Sequence, residues 1–96
     1  MAGIEGFAPN LFAGKTVFVT GGGSGINLGI AKSFARLGAK VAICGRTQER
    51  LDGAAKELEA LGAKVFTHVA DVRQPQAMQE AIDATRAALG PIDVLV

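Results

Sequence analysis

Ninety-six residues with ten Lys and Arg against nine Asp and Glu, a net charge of +1, amount to one small domain with a thin stability margin. The two signs are mixed along the chain, so it has neither a basic stripe for nucleic acid nor a basic amphipathic helix for a membrane, and its 49% hydrophobic and 20% charged residues exclude a disordered chain. No apolar run is long enough to span a bilayer, Cys44 has no second cysteine to pair with, and the N-terminus lacks the charged and apolar regions of a secretory signal, so a cytoplasmic location is expected.

Residues 1–10 carry Gly and Pro without period and are read as an extension, leaving 11–96 as the domain. The first apolar run, Val17-Phe18-Val19-Thr20, has little polar alternation, as a strand buried on both faces requires. Ile26, Ile30, Phe34 and Leu37 then recur at helical spacing until Leu37-Gly38-Ala39-Lys40-Val41, which reads as a helix stopping and a strand starting. The same sequence of events follows twice more. A strand over 41–44 leads through Thr47, an expected N-cap with Glu49 near the helix's positive end, to a stripe of Leu51, Ala55, Leu58 and Leu61. A strand over 65–68 leads through Pro75, suited to a first helical turn, to Met78, Ile82, Thr85 and Leu89. Leu89-Gly90-Pro91 is the third stop, and Ile92 to Val96 the fourth strand.

This alternation predicts βαβαβαβ, part of a doubly wound parallel α/β sheet of Rossmann type with strand order 3-2-1-4. Right-handed crossovers put the first two helices on one face and the third on the other. One helix must then cover four apolar strands, and strand four presents an unpaired edge. The expectation is therefore a portion of a longer protein, or a chain that pairs with something.

Thr20-Gly21-Gly22-Gly23-Ser24-Gly25-Ile26-Asn27 falls between the first strand and first helix, where glycines allow close approach of a pyrophosphate and free N–H groups meet its charge. A ligand-free glycine turn is the alternative. Helical periodicity resuming right after Gly25 favours the cradle, and the candidate cofactor residues here are Gly21, Gly23, Ser24, Gly25, Ile26 and Asn27. Gly14-Lys15-Thr16 mimics the end of a P-loop, but Pro9 stands where that motif needs its first glycine, and the triplet precedes its strand. Where strand two ends, Cys44-Gly45-Arg46-Thr47 offers no carboxylate for a ribose 2′-hydroxyl, whereas Arg46 can donate to a 2′-phosphate. NADP(H) is thus expected over NAD(H), by roughly 10- to 100-fold if one charge-assisted hydrogen bond decides it. A solvated arginine at a helix start is the alternative reading. Asp71-Val72, after strand three at the same sheet edge, can accept from an adenine amino group and flank the ring; an Asx-type turn before Pro75 explains the same residues. His68, Cys44 and Asp83 read as a core-strand histidine, a buried thiol and a solvated helix carboxylate, not as catalytic groups.

Thr20-Gly21-x-x-x-Gly25, Asp71-Val72 and Ile92-Asp93-Val94-Leu95-Val96 together resemble the N-terminal part of the short-chain dehydrogenase/reductases of the classical type, over residues 11–96. The resemblance implies an oxidoreductase that moves a hydride between nicotinamide and a small-molecule carbonyl, alcohol or activated alkene, and a homo-oligomer. It departs from the family at Asn27, where glycine is expected, with Gly29 two positions on. It also implies that the catalytic Ser, Tyr and Lys follow Val96, so the 96-residue chain is expected to bind without turnover, a cofactor half or a truncated binding or association module. The run from Gly25 to Ala31 looks like the divergent enoyl reductases and, with Arg46, is similar to dienoyl-CoA reductase-like members, which implies an acyl-thioester substrate.

Overall fold

The computed structural model describes residues 11–21, 23, 25–71 and 73–96. Four strands, β1 (Thr16–Thr20), β2 (Lys40–Gly45), β3 (Val65–Val69) and β4 (Val94–Leu95), alternate with three helices, α1 (Gly25–Arg36), α2 (Gln48–Ala60) and α3 (Pro75–Leu89). The sheet runs β3-β2-β1-β4 with every neighbouring pair parallel, the Rossmann-type order that the alternation predicts. Val17, Val41 and Val65 lie in register across its width.

Because successive side chains of a strand face opposite ways, each strand feeds two cores. Val17, Val19, Val41 and Ile43 pack with Ala31 and Ala35 of α1 and Leu51, Ala54 and Leu58 of α2. Phe18, Ala42 and Cys44 pack on the other face with Ala81 and Leu89 of α3. The expected two-and-one division of helices holds. All three helix stops are made as read, with Gly38, Gly62 and Gly90 at φ of 93°, 90° and 96°, a region that a side chain disfavours.

Three expectations are corrected. Ile26 does not join the α1 stripe: the helix begins only at Gly25, which leaves Ile26 in the first turn, clear of the sheet and 83% exposed, while Leu28, Ala31 and Ala35 face the core. Leu61 lies past the end of α2, at its C-cap, and is 38% exposed, and within the helix it is Ala54, not Ala55, that is buried between Leu51 and Leu58. Thr47 holds the N-cap position in extended backbone but makes no capping hydrogen bond with its side chain. Pro75 does open α3 as expected.

The fourth strand is shorter than the 92–96 run, because a parallel strand on an edge has only one neighbour to define it. Hydrogen bonds nevertheless continue beyond Val94 and Leu95, from the Asp93 N–H to the Thr16 carbonyl (2.9 Å) and from the Thr20 N–H to the Val96 carbonyl (3.1 Å). Asp93 adds a side-chain clasp, its Oδ2 accepting from the Thr16 N–H at 2.9 Å. At the far end of α3, Lys40 Nζ and Thr16 Oγ1 both donate to the Leu89 carbonyl, satisfying an otherwise orphan helix terminus with a cation at its negative pole.

Candidate functional site

The C-terminal ends of β1, β2 and β3 lie side by side because the strands are parallel, and each runs there into the loop that starts the next helix. The Gly21 N–H donates to the Cys44 carbonyl at 2.8 Å, tying the glycine loop to the end of β2. Gly21 turns with φ 63° and Gly25 with φ 65°, both in the left-handed region.

Close packing explains a third glycine. A Cβ on Gly23 would stand 3.3 Å from Arg50 Cβ, so the loop presses against the first turn of α2. At Gly25 a Cβ would meet nothing within 4 Å, which leaves open space beside the start of α1, where unpaired helical N–H groups can receive an anion.

Asn27 belongs to the scaffold of this loop. Its Nδ2 donates to the Thr20 carbonyl at 2.7 Å and lies 3.2 Å from where a Cβ on Gly21 would stand. The amide thus braces the turn from behind, the role the sequence left open when it departed from glycine at this position.

Two adjoining hollows share Gly21, Gly45 and Arg46. One continues along Gly23, Thr47, Arg50 and Leu51. The other continues along Ala70, Asp71 and Arg73. They form one groove over the strand ends, and they bring together Gly21, Gly23, Arg46 and Asp71, four of the residues singled out in the sequence. Gly25, Ile26 and Asn27 lie at the start of α1 and do not line these two hollows, while Ser24 and Val72 lie outside the described residues.

At Asp71 the turn expected as the alternative is present. Oδ1 accepts from the Arg73 backbone N–H at 3.0 Å, and the Arg73 guanidinium spans both oxygens, Nε to Oδ1 at 3.0 Å and one terminal nitrogen to Oδ2 at 2.9 Å. These hydrogen bonds from the Arg73 side chain and backbone, with the charges of Arg73 and Arg46, hold the Asp71 carboxyl at about 2. The carboxylate is ionised and oriented, with lone pairs left for a further donor.

Sequence reasoning missed Arg50, Thr47 and Arg73 as groove residues. Arg50 had a readable signal, since it follows Arg46 by four residues at a helix start. His68, Cys44 and Asp83 stay outside the groove: His68 is half-buried and stacks on Phe66 with centroids 6.4 Å apart, Cys44 is buried, and exposed Asp83 accepts from Gln79 Nε2. Among the described residues no cluster of His, Cys, Asp or Glu could hold a metal ion, and no helix is long and apolar enough to cross a membrane.

A parallel sheet of this order, with a glycine loop and basic groove at its carboxyl ends, defines an α/β protein of Rossmann type. The sequence profile of the short chain dehydrogenase family matches residues 15–96, and the chain belongs to that family of oxidoreductases. Relatives include the peroxisomal 2,4-dienoyl-CoA reductase of Rattus norvegicus, 41% identical over 91 residues, 94% of this chain and 31% of the relative. The gluconate 5-dehydrogenase of Gluconobacter oxydans is 42% identical over 90 residues, 92% of this chain and 35% of the relative. The chain therefore spans about a third of the length of either. Among solved structures, the citronellol catabolism dehydrogenase of Pseudomonas aeruginosa PAO1 superposes with a TM-score of 0.87 at 40% identity, over 93% of this chain and 37% of that one. L-sorbose reductase from Gluconobacter frateurii, complexed with NADPH and L-sorbose, gives 0.85 at 34% identity, over 92% and 34%.

Proposed function

We propose that this chain is the cofactor-binding portion of an NADP(H)-dependent oxidoreductase, and that Arg46 selects the phosphorylated dinucleotide. The observation that carries the reading is Arg46 at the end of β2, lining one groove with the glycine loop, in a segment, Cys44-Gly45-Arg46-Thr47, that offers no carboxylate of its own to accept from a ribose hydroxyl. The residues present fit such a ligand. The open space at Gly25 and the N–H groups opening α1 suit a pyrophosphate, Arg46 a 2′-phosphate, and Asp71 with its remaining lone pairs an adenine amino group. The bound dinucleotide would supply the hydride chemistry, and this chain's residues hold and orient it.

A binding titration of NADP+ and NAD+ tests the assignment. Arg46→Ala should remove a preference of about 10- to 100-fold, the worth of one charge-assisted hydrogen bond; full retention of the preference would overturn it.

In this reading the 96-residue chain binds without turnover, because the catalytic tyrosine that the family resemblance implies has no counterpart in a sequence containing no tyrosine. A spectrophotometric assay of the chain with NADPH and candidate acceptors should show no oxidation; measurable turnover would refute it. An acyl thioester is the substrate class favoured for the functional oxidoreductase, from the likeness to 2,4-dienoyl-CoA reductases. The lone thiol Cys44 favours a reducing, cytoplasmic compartment, which imaging of a tagged protein would check. Homo-oligomerisation is expected from membership of the family, to be read by sedimentation of the protein.

A further inference from the structure

We propose that Arg50 is a second specificity-determining residue of the groove, sharing with Arg46 the dianionic phosphomonoester of a phosphorylated dinucleotide. This rests on the reading of Arg46 given above. Both arginines line the same hollow, together with Gly21, Gly23 and Thr47, and no carboxylate among the described residues lines it with them. Neither guanidinium is engaged in a hydrogen bond or ion pair within the described residues.

The nearby anions are accounted for. Asp71 is spanned by Arg73, Asp52 accepts from Gln48 Nε2 at 2.7 Å, and Glu57 pairs with Lys32 at 2.9 Å. Thr47 lies between the two arginines in sequence, and its hydroxyl makes no capping bond, so a third donor is available at the same wall.

Charge arithmetic favours a shared ligand. A phosphomonoester carries about −1.5 to −2 near neutral pH, so a single guanidinium leaves much of that charge unmatched. A ribose hydroxyl, by contrast, needs an acceptor, and this hollow offers two cations and no acceptor carboxylate. The start of α2 adds its own positive pole beside Arg50. Arg50 is also positioned by packing: its Cβ would lie 3.3 Å from a Cβ on Gly23, so the stem of the side chain is seated against the loop that receives the pyrophosphate.

The test is a titration of NADP+ and NAD+ against wild type, Arg50→Ala, Arg50→Lys, Arg46→Ala and the double variant, with folding checked by circular dichroism. Arg50→Ala should weaken NADP+ binding about tenfold, the value of one lost charge-assisted bond, while NAD+ affinity stays within about twofold. Arg50→Lys should recover part of the loss, since it restores the charge without the fork. The single effects should be non-additive in the double variant if both arginines grip one phosphate. Equal weakening of both dinucleotides by Arg50→Ala would show a packing role alone and overturn the proposal, as would no effect on either. If Arg46→Ala abolishes the preference while Arg50→Ala leaves it intact, this inference fails and the reading of Arg46 stands. If neither variant changes the preference, both fail.

Discussion

Asp71 and Arg73 show how one residue can serve a turn and a site together. Their bidentate contact lies on the rim of the groove and draws the carboxyl down to about 2, below the ordinary value near 3.9 in an unfolded chain. A group depressed on folding contributes stability that is complete above the unfolded value and is lost as pH falls through the folded one. In urea unfolding, wild type should therefore exceed Asp71→Asn in stability at pH 5, and the gap should close between about pH 4 and pH 2. A gap independent of pH would exclude the ion pair. At Gly21 the constraint is conformational. With φ at 63° and Asn27 Nδ2 behind it, Gly21→Ala should cost about 1–2 kcal/mol, measured by the same denaturation. Neither the Asp71 pairing nor the Asn27 brace follows from residue type, because an aspartate before arginine or an asparagine near a turn has several partners within reach.

Among the elements, β4 depends on a clasp more than on its length. Only Val94 and Leu95 are paired as strand, yet Asp93 holds the N–H of buried Thr16 and so joins the start of β1 to the edge. Asp93→Ala leaves that N–H without its acceptor and should cost about 1–3 kcal/mol in denaturant unfolding. A change below about 0.5 kcal/mol, the range of an ordinary surface substitution, would show the clasp to be dispensable. The helices illustrate how far periodicity reaches. Leu51 and Leu58 of α2, and Thr85 and Leu89 of α3, are buried as their spacing requires, whereas Ile26 and Leu61 fit the period and miss the core. Spacing defines a stripe only where the helix is present and lies over the sheet, and Ile26 and Leu61 sit at helix ends; within α2 the stripe shifts by one residue, from Ala55 to Ala54.

For the molecule as a whole, the uneven distribution of helices matters most. Among the described residues two helices cover one face and α3 the other; Leu95, in register with Phe18 on the α3 side, is 62% exposed while Phe18 is fully buried. Cys44 lies under α3, and burial pushes its thiol up from the ordinary value despite the hydrogen bond from the Gly21 N–H. An aromatic disulfide reagent at neutral pH should leave Cys44 unmodified in the native chain and react with one thiol per chain in denaturant. Reaction within seconds under native conditions would mean that α3 lifts readily from the sheet.

The amino-acid sequence by itself determined the alternation of strands and helices, the parallel sheet and its order, the helix stops at glycine, and the place of the glycine loop and Arg46. Each of these is written in local terms: unbroken apolar runs, a period near 3.6, and residues that tolerate a left-handed turn. Only the tertiary structure decided that Arg50 shares a wall with Arg46 and Gly23, that Arg73 spans Asp71 on the same groove, and that Asn27 supports Gly21. The meeting of Arg50 with Gly23 depends on the angle at which α2 meets the loop, and the groove shared by Arg46 and Asp71 on strand register, quantities set by packing across the sheet that leave no periodic trace along the chain.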